Sequence, residues 1–248
     1  TLRELAKERK DLIGMTAYYN YVRRSIATLV NKGLEEHAPN DLIRREVKYI
    51  VENYKDSILV EELIHDFVYE YILECGLEGQ EDLVEVYKIN VKSAAKLALF
   101  EQMCNTWSSL RPGTPSPVFN LPDMNGKMVS LESMRGKFVY IDLWASWCGP
   151  CHREIPFLKR LEKKFAGKNI VFVGISCDTD KEAWLKSMQN EGLDGIQLYM
   201  GDDLAFGKAY MVSNLPRFIL VDPEGNIVEA YMTAPSSPKT EERLQELL

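Results

Sequence analysis

The sequence lacks long apolar runs, an excess of positive charge and a dense set of cysteines. No apolar run approaches the roughly 18 residues that a membrane-spanning helix needs. The net charge is −7, so the chain as a whole has no electrostatic attraction to nucleic acid, and we expect no nucleic-acid partner. Five cysteines in 248 residues are too few for a disulfide scaffold. An apolar content of 46% is ordinary for one large globular domain or two modest ones.

The start of the chain indicates a longer gene product. The first residue is Thr1 rather than Met, and residues 1–10 already have a helical pattern. We therefore expect that a signal peptide or a membrane anchor preceded Thr1. The lack of such a segment is no evidence for a cytoplasmic protein.

The distribution of proline predicts two domains. Residues 1–111 contain one proline, Pro39, and four glycines, whereas residues 112–248 contain ten prolines and eleven glycines. Three prolines lie in the junction RPGTPSP, which a helix cannot continue through. We place the boundary between 111 and 112.

The first domain is predicted to be an all-α bundle. Apolar residues recur at helical spacing in 43–54, in 63–72 and in a longer stretch from Leu83 to Trp107. Gly76 lies where a helix would end, and Pro39 lies where one would begin. No repeat of about 34 residues is visible, which disfavours a solenoid. The stripes suit a plain core, and a groove for a partner helix is the alternative.

The second domain alternates between strand and helix patterns. KFVYIDLWA and NIVFVGISCD are predicted strands, 148–165 and 181–188 are predicted helices, and RFILVDPEGNIVEAYM is a predicted hairpin. TEERLQELL is a final helix that Thr240 could cap. This order predicts an α/β fold, a mixed sheet with helices on both faces.

Two cysteines, Cys148 and Cys151, lie where the first strand passes into a helix. The unpaired N–H groups at a helix start stabilise a thiolate and lower its pKa. Pro150 suits the first turn because it has no N–H to leave unpaired. We expect Cys148 to be the accessible nucleophile and Cys151 the resolving thiol, in an exchange that passes through a mixed disulfide.

Two other chemistries share this spacing. Cys148-Gly-Pro-Cys151-His152 matches a c-type haem attachment string, but a preceding strand and Pro150 disfavour it. A zinc site needs two more ligands, and His37, His65 and Cys177 are poor candidates. We expect no metal or organic cofactor.

The stretch SPVFNLPDMNGKMVSLESMRGKFVYIDLWASWCGPCHREIPFL resembles the TlpA/ResA-like branch of thiol–disulfide oxidoreductases in the thioredoxin superfamily. The resemblance covers about residues 112–248. It implies a thioredoxin-like fold with a strand hairpin before the core. It says nothing about residues 1–111.

The resemblance also implies a substrate surface. Leu215-Pro216 stands where the superfamily has a cis-proline loop, beside which a substrate segment could pair as an extra strand. Trp147, Gly149 and Pro150 would border the surface that a partner meets. Trp144 is expected in the core.

Two acids are expected to move protons. Asp142 matches the buried acid of thioredoxins, which exchanges a proton with the resolving cysteine, and Glu154 resembles an acid of the TlpA/ResA pattern. Many members of that branch have an uncharged residue at the position of Asp142. Because this sequence has both acids, the division of roles between them stays open. The alternatives are a solvent-facing Asp142 at a strand edge and a solvated, dipole-stabilised Glu154.

The expected function is reduction of disulfides in partner proteins of the cell envelope, with an upstream thiol donor. The periplasmic location, with a possible anchor outside this chain, is implied by the resemblance alone. A peroxiredoxin is disfavoured because Trp144 and Ala145 occupy places of its Thr-containing motif, and a binding module with a vestigial dithiol is the other alternative. Cys75 and Cys104 could pair with each other or be core thiols, and Cys177 is expected to be buried.

Overall fold

The computed structural model describes Arg9, Leu12, and residues 15–31 and 39–248. These residues form two compact units, one ending at Asn105 and the other beginning at Thr106. The predicted helix over residues 1–10 lies outside the described residues, apart from Arg9.

The first unit is helical, as predicted. It contains α1 (Thr16–Asn31), α2 (Pro39–Asn53), α3 (Ser57–Cys75), α4 (Glu81–Asn90) and α5 (Ala94–Ser109), the last of which continues into the second unit. The Asp56 side chain caps α3, and Gly76 ends it with a φ of 82°, which favours glycine. Most residues of the apolar stripes are buried, and Leu63, Ile64 and Ile72 are fully inaccessible, but Val51 is 44% exposed.

The prediction of one long helix from Leu83 to Trp107 is wrong. The chain leaves α4 at Val91, whose backbone is extended, and restarts at Ala94. The carboxylate of Glu61 accepts hydrogen bonds from the backbone N–H groups of Lys92 (3.0 Å) and Ser93 (3.1 Å). These bonds satisfy donors that an interrupted helix would leave unpaired.

The second unit contains a short hairpin and a five-stranded mixed sheet. The hairpin joins β1 (Asn120–Pro122) to β2 (Met128–Ser130), and a 3₁₀ turn follows at Leu131–Met134. The sheet has the order β5-β4-β3-β6-β7. Its strands are β3 (Phe138–Trp144), β4 (Ile170–Ser176), β5 (Ile196–Tyr199), β6 (Arg217–Val221) and β7 (Ile227–Met232). Strands β3, β4 and β5 are parallel, and β6 and β7 are antiparallel to their neighbours.

Four helices accompany this sheet: α6 (Gly149–Lys164), α7 (Lys181–Glu191), α8 (Ala205–Ala209) and α9 (Pro238–Leu247). One face packs beneath α6 and α9, where Tyr140 and Phe218 meet Leu158 and Leu244. On the opposite face Ile141 is also fully buried, so the central strand is covered on both sides. The predicted mixed α/β architecture is confirmed.

Three details of the second unit differ from the prediction. Strand β5 and helix α8 carry no strong sequence pattern and were not predicted. Helix α9 begins after Ser237 rather than at Thr240. Thr240 is buried inside the helix, where its hydroxyl lies 2.9 Å from the carbonyl oxygen of Thr233 and 2.6 Å from that of Ala234.

Candidate active site

A disulfide joins Cys148 and Cys151 at the junction of β3 and α6. Cys148 is the N-cap of α6, and its Sγ accepts a hydrogen bond from the N–H of Cys151 at 3.2 Å. Pro150 lies in the first turn, where its missing N–H leaves nothing unpaired. Both sulfur atoms therefore lie where a helix start favours negative charge.

The prediction that Cys148 is accessible to solvent is wrong for the closed disulfide. Cys148 is 4% exposed and Cys151 is 3% exposed. They pack in an apolar cluster with Trp144, Trp184 and Met188, which closes over the sulfur atoms from the sheet and from α7. Trp144 is thus a core residue, as expected.

Residues next to the cysteine pair, Trp147, Gly149 and Pro150, form an exposed rim. Trp147 is 70% exposed, and Gly149 and Pro150 are exposed as well. The Leu215–Pro216 peptide is cis, as the resemblance implied, and Leu215 packs against the apolar cluster that holds both cysteines. The predicted substrate-binding residues are therefore brought to one place.

Asp142 is buried within the central strand, so the solvent-facing alternative is wrong. It pairs with Gly174 on one side and Phe218 on the other, and its Oδ1 has no hydrogen-bond partner among the described residues. Burial, with smaller contributions from the charges of Glu162 and Glu154, raises the pKa of Asp142 to about 7. The carboxyl can therefore gain or lose a proton near neutral pH.

Glu154 is half-buried on α6 and binds the loop between β7 and α9. Its two carboxylate oxygens accept hydrogen bonds from the N–H and the hydroxyl of Ser236, both at 2.9 Å. The alternative of a freely solvated Glu154 is therefore wrong, because its carboxylate is tethered to Ser236. The charge of Glu154 contributes to the raised pKa of Asp142. The hydrogen bonds described for its carboxylate oxygens are those with Ser236.

The loop before Cys148 is held by Asp178, which the sequence did not point to. Asp178 is 2% exposed, and its carboxylate accepts hydrogen bonds from the N–H of Ser146 at 3.0 Å, from the Ser146 hydroxyl at 2.6 Å and from the Ser176 hydroxyl at 2.7 Å. Ser146 is two residues before Cys148. Asp178, just after the end of β4, thereby fixes the chain segment that leads to Cys148.

His152 binds the same loop from the other side. Its Nε2 lies 2.9 Å from the carbonyl oxygen of Ser146, and its Nδ1 lies 3.0 Å from Oε1 of Glu191. The ring also meets the edge of Trp144, with 6.4 Å between ring centroids. The histidine that suggested haem attachment is thus part of the loop support.

Arg217 follows Pro216 directly and is 2% exposed. Its guanidinium lies 4.0 Å from the ring centroid of Tyr231 and 5.4 Å from that of Trp107, and it donates to the carbonyl oxygen of Met211 at 3.2 Å. A buried arginine in a strand is rare without a specific role. The signal in the sequence is an arginine that directly precedes the apolar run FILV.

The remaining cysteines are not bonded to one another. Cys75 is exposed, so the expectation of a core thiol is wrong there, and Cys104 is half-buried. Cys177 is half-buried just after β4, and burial, with the charges of Asp178 and Asp142, raises its pKa to about 12. Cys177 is therefore a poor nucleophile near neutral pH.

The described part of the chain shows neither a metal-binding cluster nor a membrane-spanning helix. No group of three or more histidine, cysteine or acidic side chains there could hold a metal ion. None of the described helices combines the length and hydropathy of a membrane span.

Comparison with known proteins decides the family. The Redoxin family profile matches residues 111–248, more than half of the chain. The chain belongs to the Redoxin family. The thiol-disulfide oxidoreductase ResA of Bacillus subtilis is 32% identical over 121 residues, which cover 49% of this chain and 67% of that protein.

Solved structures agree with this redoxin assignment. A solution structure from Bacteroides vulgatus, described as a thiol-disulfide oxidoreductase, is 54% identical, with a TM-score of 0.51, and covers 56% of this chain and 92% of that one. The thioredoxin domain of another such protein from the same organism is 29% identical, with a TM-score of 0.52, and covers 56% and 99%. The TlpA/ResA-like resemblance is confirmed, and this redoxin is a thiol–disulfide oxidoreductase.

Proposed function

We propose that the enzyme reduces disulfides of partner proteins in the cell envelope through the Cys148–Cys151 dithiol, which an upstream thiol donor regenerates. The observation that carries this proposal is the pair at the strand-to-helix junction, with Cys148 as the N-cap of α6. The envelope location is carried over from the TlpA/ResA-like relatives. Residues 112–248 are the proposed catalytic domain, and residues 1–111 are proposed to be a separate helical domain.

Each site residue has a proposed role. Cys148 attacks a substrate disulfide, and Cys151 resolves the mixed disulfide. Asp142 exchanges the proton of Cys151, and Glu154 assists by its charge, which disfavours ionisation of Asp142.

The substrate is proposed to bind along the exposed rim. Its backbone pairs beside Leu215 and Pro216, and its side chains meet Trp147 and the turn at Gly149 and Pro150. The high exposure of Trp147 supports this assignment, because an exposed tryptophan beside a reactive group is a typical protein-contact residue.

The test is covalent trapping with two single variants. Cys151→Ser should accumulate mixed disulfides between Cys148 and partner proteins, because the resolving step is blocked. Cys148→Ser should abolish insulin reduction and trap nothing, and Cys177→Ser should behave as wild type. A Cys151→Ser protein that traps nothing while wild type is active would contradict the assigned roles.

The direction of exchange is tested by the reduction potential. A value of about −270 mV, the range of thioredoxin, would support the proposed reductant, whereas about −120 mV would indicate an oxidant. A folded protein that reduces no insulin with any donor would favour the binding module instead. Turnover of hydrogen peroxide but not of insulin would favour a peroxidase.

A further inference from the structure

Three residues on neighbouring strands form one row across the sheet beneath α6. Asp142 in β3 pairs with Gly174 in β4, and Gly174 pairs with Gln197 in β5. Residues paired in register point to the same face of a sheet. That face is covered by α6, because Tyr140, two residues before Asp142, packs against Leu158.

Gln197 occupies the space that the missing side chain of Gly174 leaves. A Cβ atom on Gly174 would lie 2.2 Å from Oε1 of Gln197 and 2.8 Å from its Cδ. The carboxamide therefore lies over the backbone of β4, between its own strand and Asp142. Its Nε2 donates to the carbonyl oxygen of Asp194 at 3.3 Å, which leaves Oε1 as the oxygen over Gly174.

Asp142 and Gln197 each have a buried oxygen that lacks a hydrogen bond. Within the described ranges, Oδ1 of Asp142 and Oε1 of Gln197 have no partner. Native proteins pair nearly all such atoms. While Asp142 is ionised, both oxygens are acceptors and cannot bond to each other. A proton on Asp142 turns its carboxyl into a donor, which Gln197 can accept.

The groups around Asp142 disfavour its negative charge. Glu162 and Glu154 face it from α6, and their charges add to burial in raising its pKa to about 7. Tyr140 on the same strand and Cys177 after β4 also face it, since the charge of Asp142 raises the pKa of each. The positive charge of Lys159 acts on Glu162 and lowers the pKa of its carboxyl. The described surroundings therefore favour the neutral carboxyl.

We propose that Gln197 is a positioning residue for the resolving step, and that its side-chain oxygen, laid over Gly174, accepts the hydrogen bond of the neutral Asp142 carboxyl, directly or through one water molecule. The inference rests on the proposed role of Asp142 as the acid that exchanges a proton with Cys151. It adds the group that accepts a hydrogen bond from the protonated carboxyl and orients it.

The resolving step transfers one proton to Asp142 and one electron pair to the substrate sulfur. Asp142 takes the proton of the Cys151 thiol, and the Cys151 thiolate attacks Cys148 in the mixed disulfide. The bond between Cys148 and the substrate sulfur breaks, and the substrate leaves as a reduced thiolate. The Cys148–Cys151 pair is oxidised, and the new proton on Asp142 faces Gln197.

The test is infrared difference spectroscopy of the full chain, between reduced and oxidised protein, across pH 5–9. The carbonyl band of the protonated acid is assigned by its loss in Asp142→Asn. In Gln197→Met, which keeps the side-chain length but removes the acceptor, the band should move to higher frequency, because a carboxyl that donates no hydrogen bond has a stiffer carbonyl. Gly174→Ala should cause the same shift by displacing the carboxamide. Gln189→Met, an exposed change on α7, should leave the band in place.

A second measurement needs no variant at the site. In ¹³C-labelled wild type, the side-chain carbonyl carbon of Gln197 should titrate with the same midpoint as the carboxyl carbon of Asp142, and this titration should vanish in Asp142→Asn. A Gln197 carbon that does not titrate, or a band unmoved in Gln197→Met, would overturn the role of Gln197. Identical pH–rate profiles for wild type and Asp142→Asn would instead overturn the proposed function of Asp142.

Discussion

His152 in the first turn of α6 contacts Glu191 at the end of α7, with 3.0 Å between Nδ1 and Oε1. The other ring nitrogen faces the carbonyl oxygen of Ser146. Both partners are acceptor oxygens, one facing each ring nitrogen, so His152 links the loop before Cys148 to the end of α7. Lys159 also binds the backbone oxygen of Glu191, and α6 is thereby joined to α7 twice.

Replacing His152 with alanine should loosen the loop that carries Cys148. We expect a loss of about 1–2 kcal/mol in the free energy of unfolding, because the partly buried hydrogen bonding of the ring disappears. Hydrogen exchange should also accelerate at the amides of Trp147 and Cys148. Gln189→Ala on the exposed side of α7 is the control. Unchanged exchange at both amides would contradict a role of His152 in holding the loop.

Asp178→Ala should be more costly than His152→Ala. The buried carboxylate accepts from two hydroxyl groups and one N–H, and all three donors lose their partner. Hydrogen bonds to a charged group contribute about 1.5–3 kcal/mol each and do not add fully, so a loss of about 3 kcal/mol is expected. Urea denaturation of the oxidised protein measures it, with the exposed Asp202→Asn as control. A loss below that of His152→Ala would speak against Asp178 as the main anchor.

The pH dependence of stability should reveal Asp142. Its pKa is raised to about 7 in the folded protein from an ordinary value of 3.8, so the native state holds a proton that the unfolded state has lost. The stabilisation that this proton gives the folded protein is fully present below about pH 4. It falls as the pH rises from about 4 to about 7 and is lost above that. Over this pH range the contribution of Asp142 to the free energy of unfolding changes by about 4 kcal/mol.

Asp142→Asn isolates this contribution. The variant should gain stability relative to wild type as the pH rises from 4 to 8, and denaturant unfolding of the oxidised proteins at several pH values checks it. Raised carboxyls of the helical unit, such as Glu46 and Asp66, remain in both proteins and cancel in the difference. A stability difference that is flat with pH would mean that Asp142 titrates normally.

Arg217 should tolerate neither lysine nor methionine. Its planar guanidinium stacks on Tyr231 and Trp107, which a compact ammonium group cannot reproduce. We expect each variant to lose about 2 kcal/mol in thermal or urea unfolding. Arg153→Lys, on the exposed side of α6, should show no loss. Full stability of Arg217→Lys would show that the charge alone is what the site needs.

The position of the cysteine pair could be predicted from the sequence because its signals are local. A β-branched strand, a Cys-Gly-Pro-Cys turn and a helix with Pro150 in its first turn lie in one continuous stretch, and β3 and α6 follow it closely. The buried place of Asp142 was predictable for the same reason, since it lies mid-strand among apolar residues.

The features that escaped prediction depend on distant residues. The break between α4 and α5 is bound by Glu61, 31 residues before Lys92. The contact between Gln197 and Gly174 requires the register of β4 with β5, and β5 is four residues long with no clear alternation. Likewise, Asp178 is important because the fold brings Ser146 to it. None of these pairings has a signal within one local stretch.

The acidity of the Cys148 thiol tests most directly whether the strand-to-helix junction creates the nucleophile. In reduced protein, the pH dependence of iodoacetamide alkylation, mapped by mass spectrometry, gives the pKa of each cysteine separately. We predict a pKa for Cys148 at least one unit below the value of about 8.5 for free cysteine, with Cys151 well above Cys148. A Cys148 thiol that titrates at about 8.5 or higher would contradict its role as the attacking group.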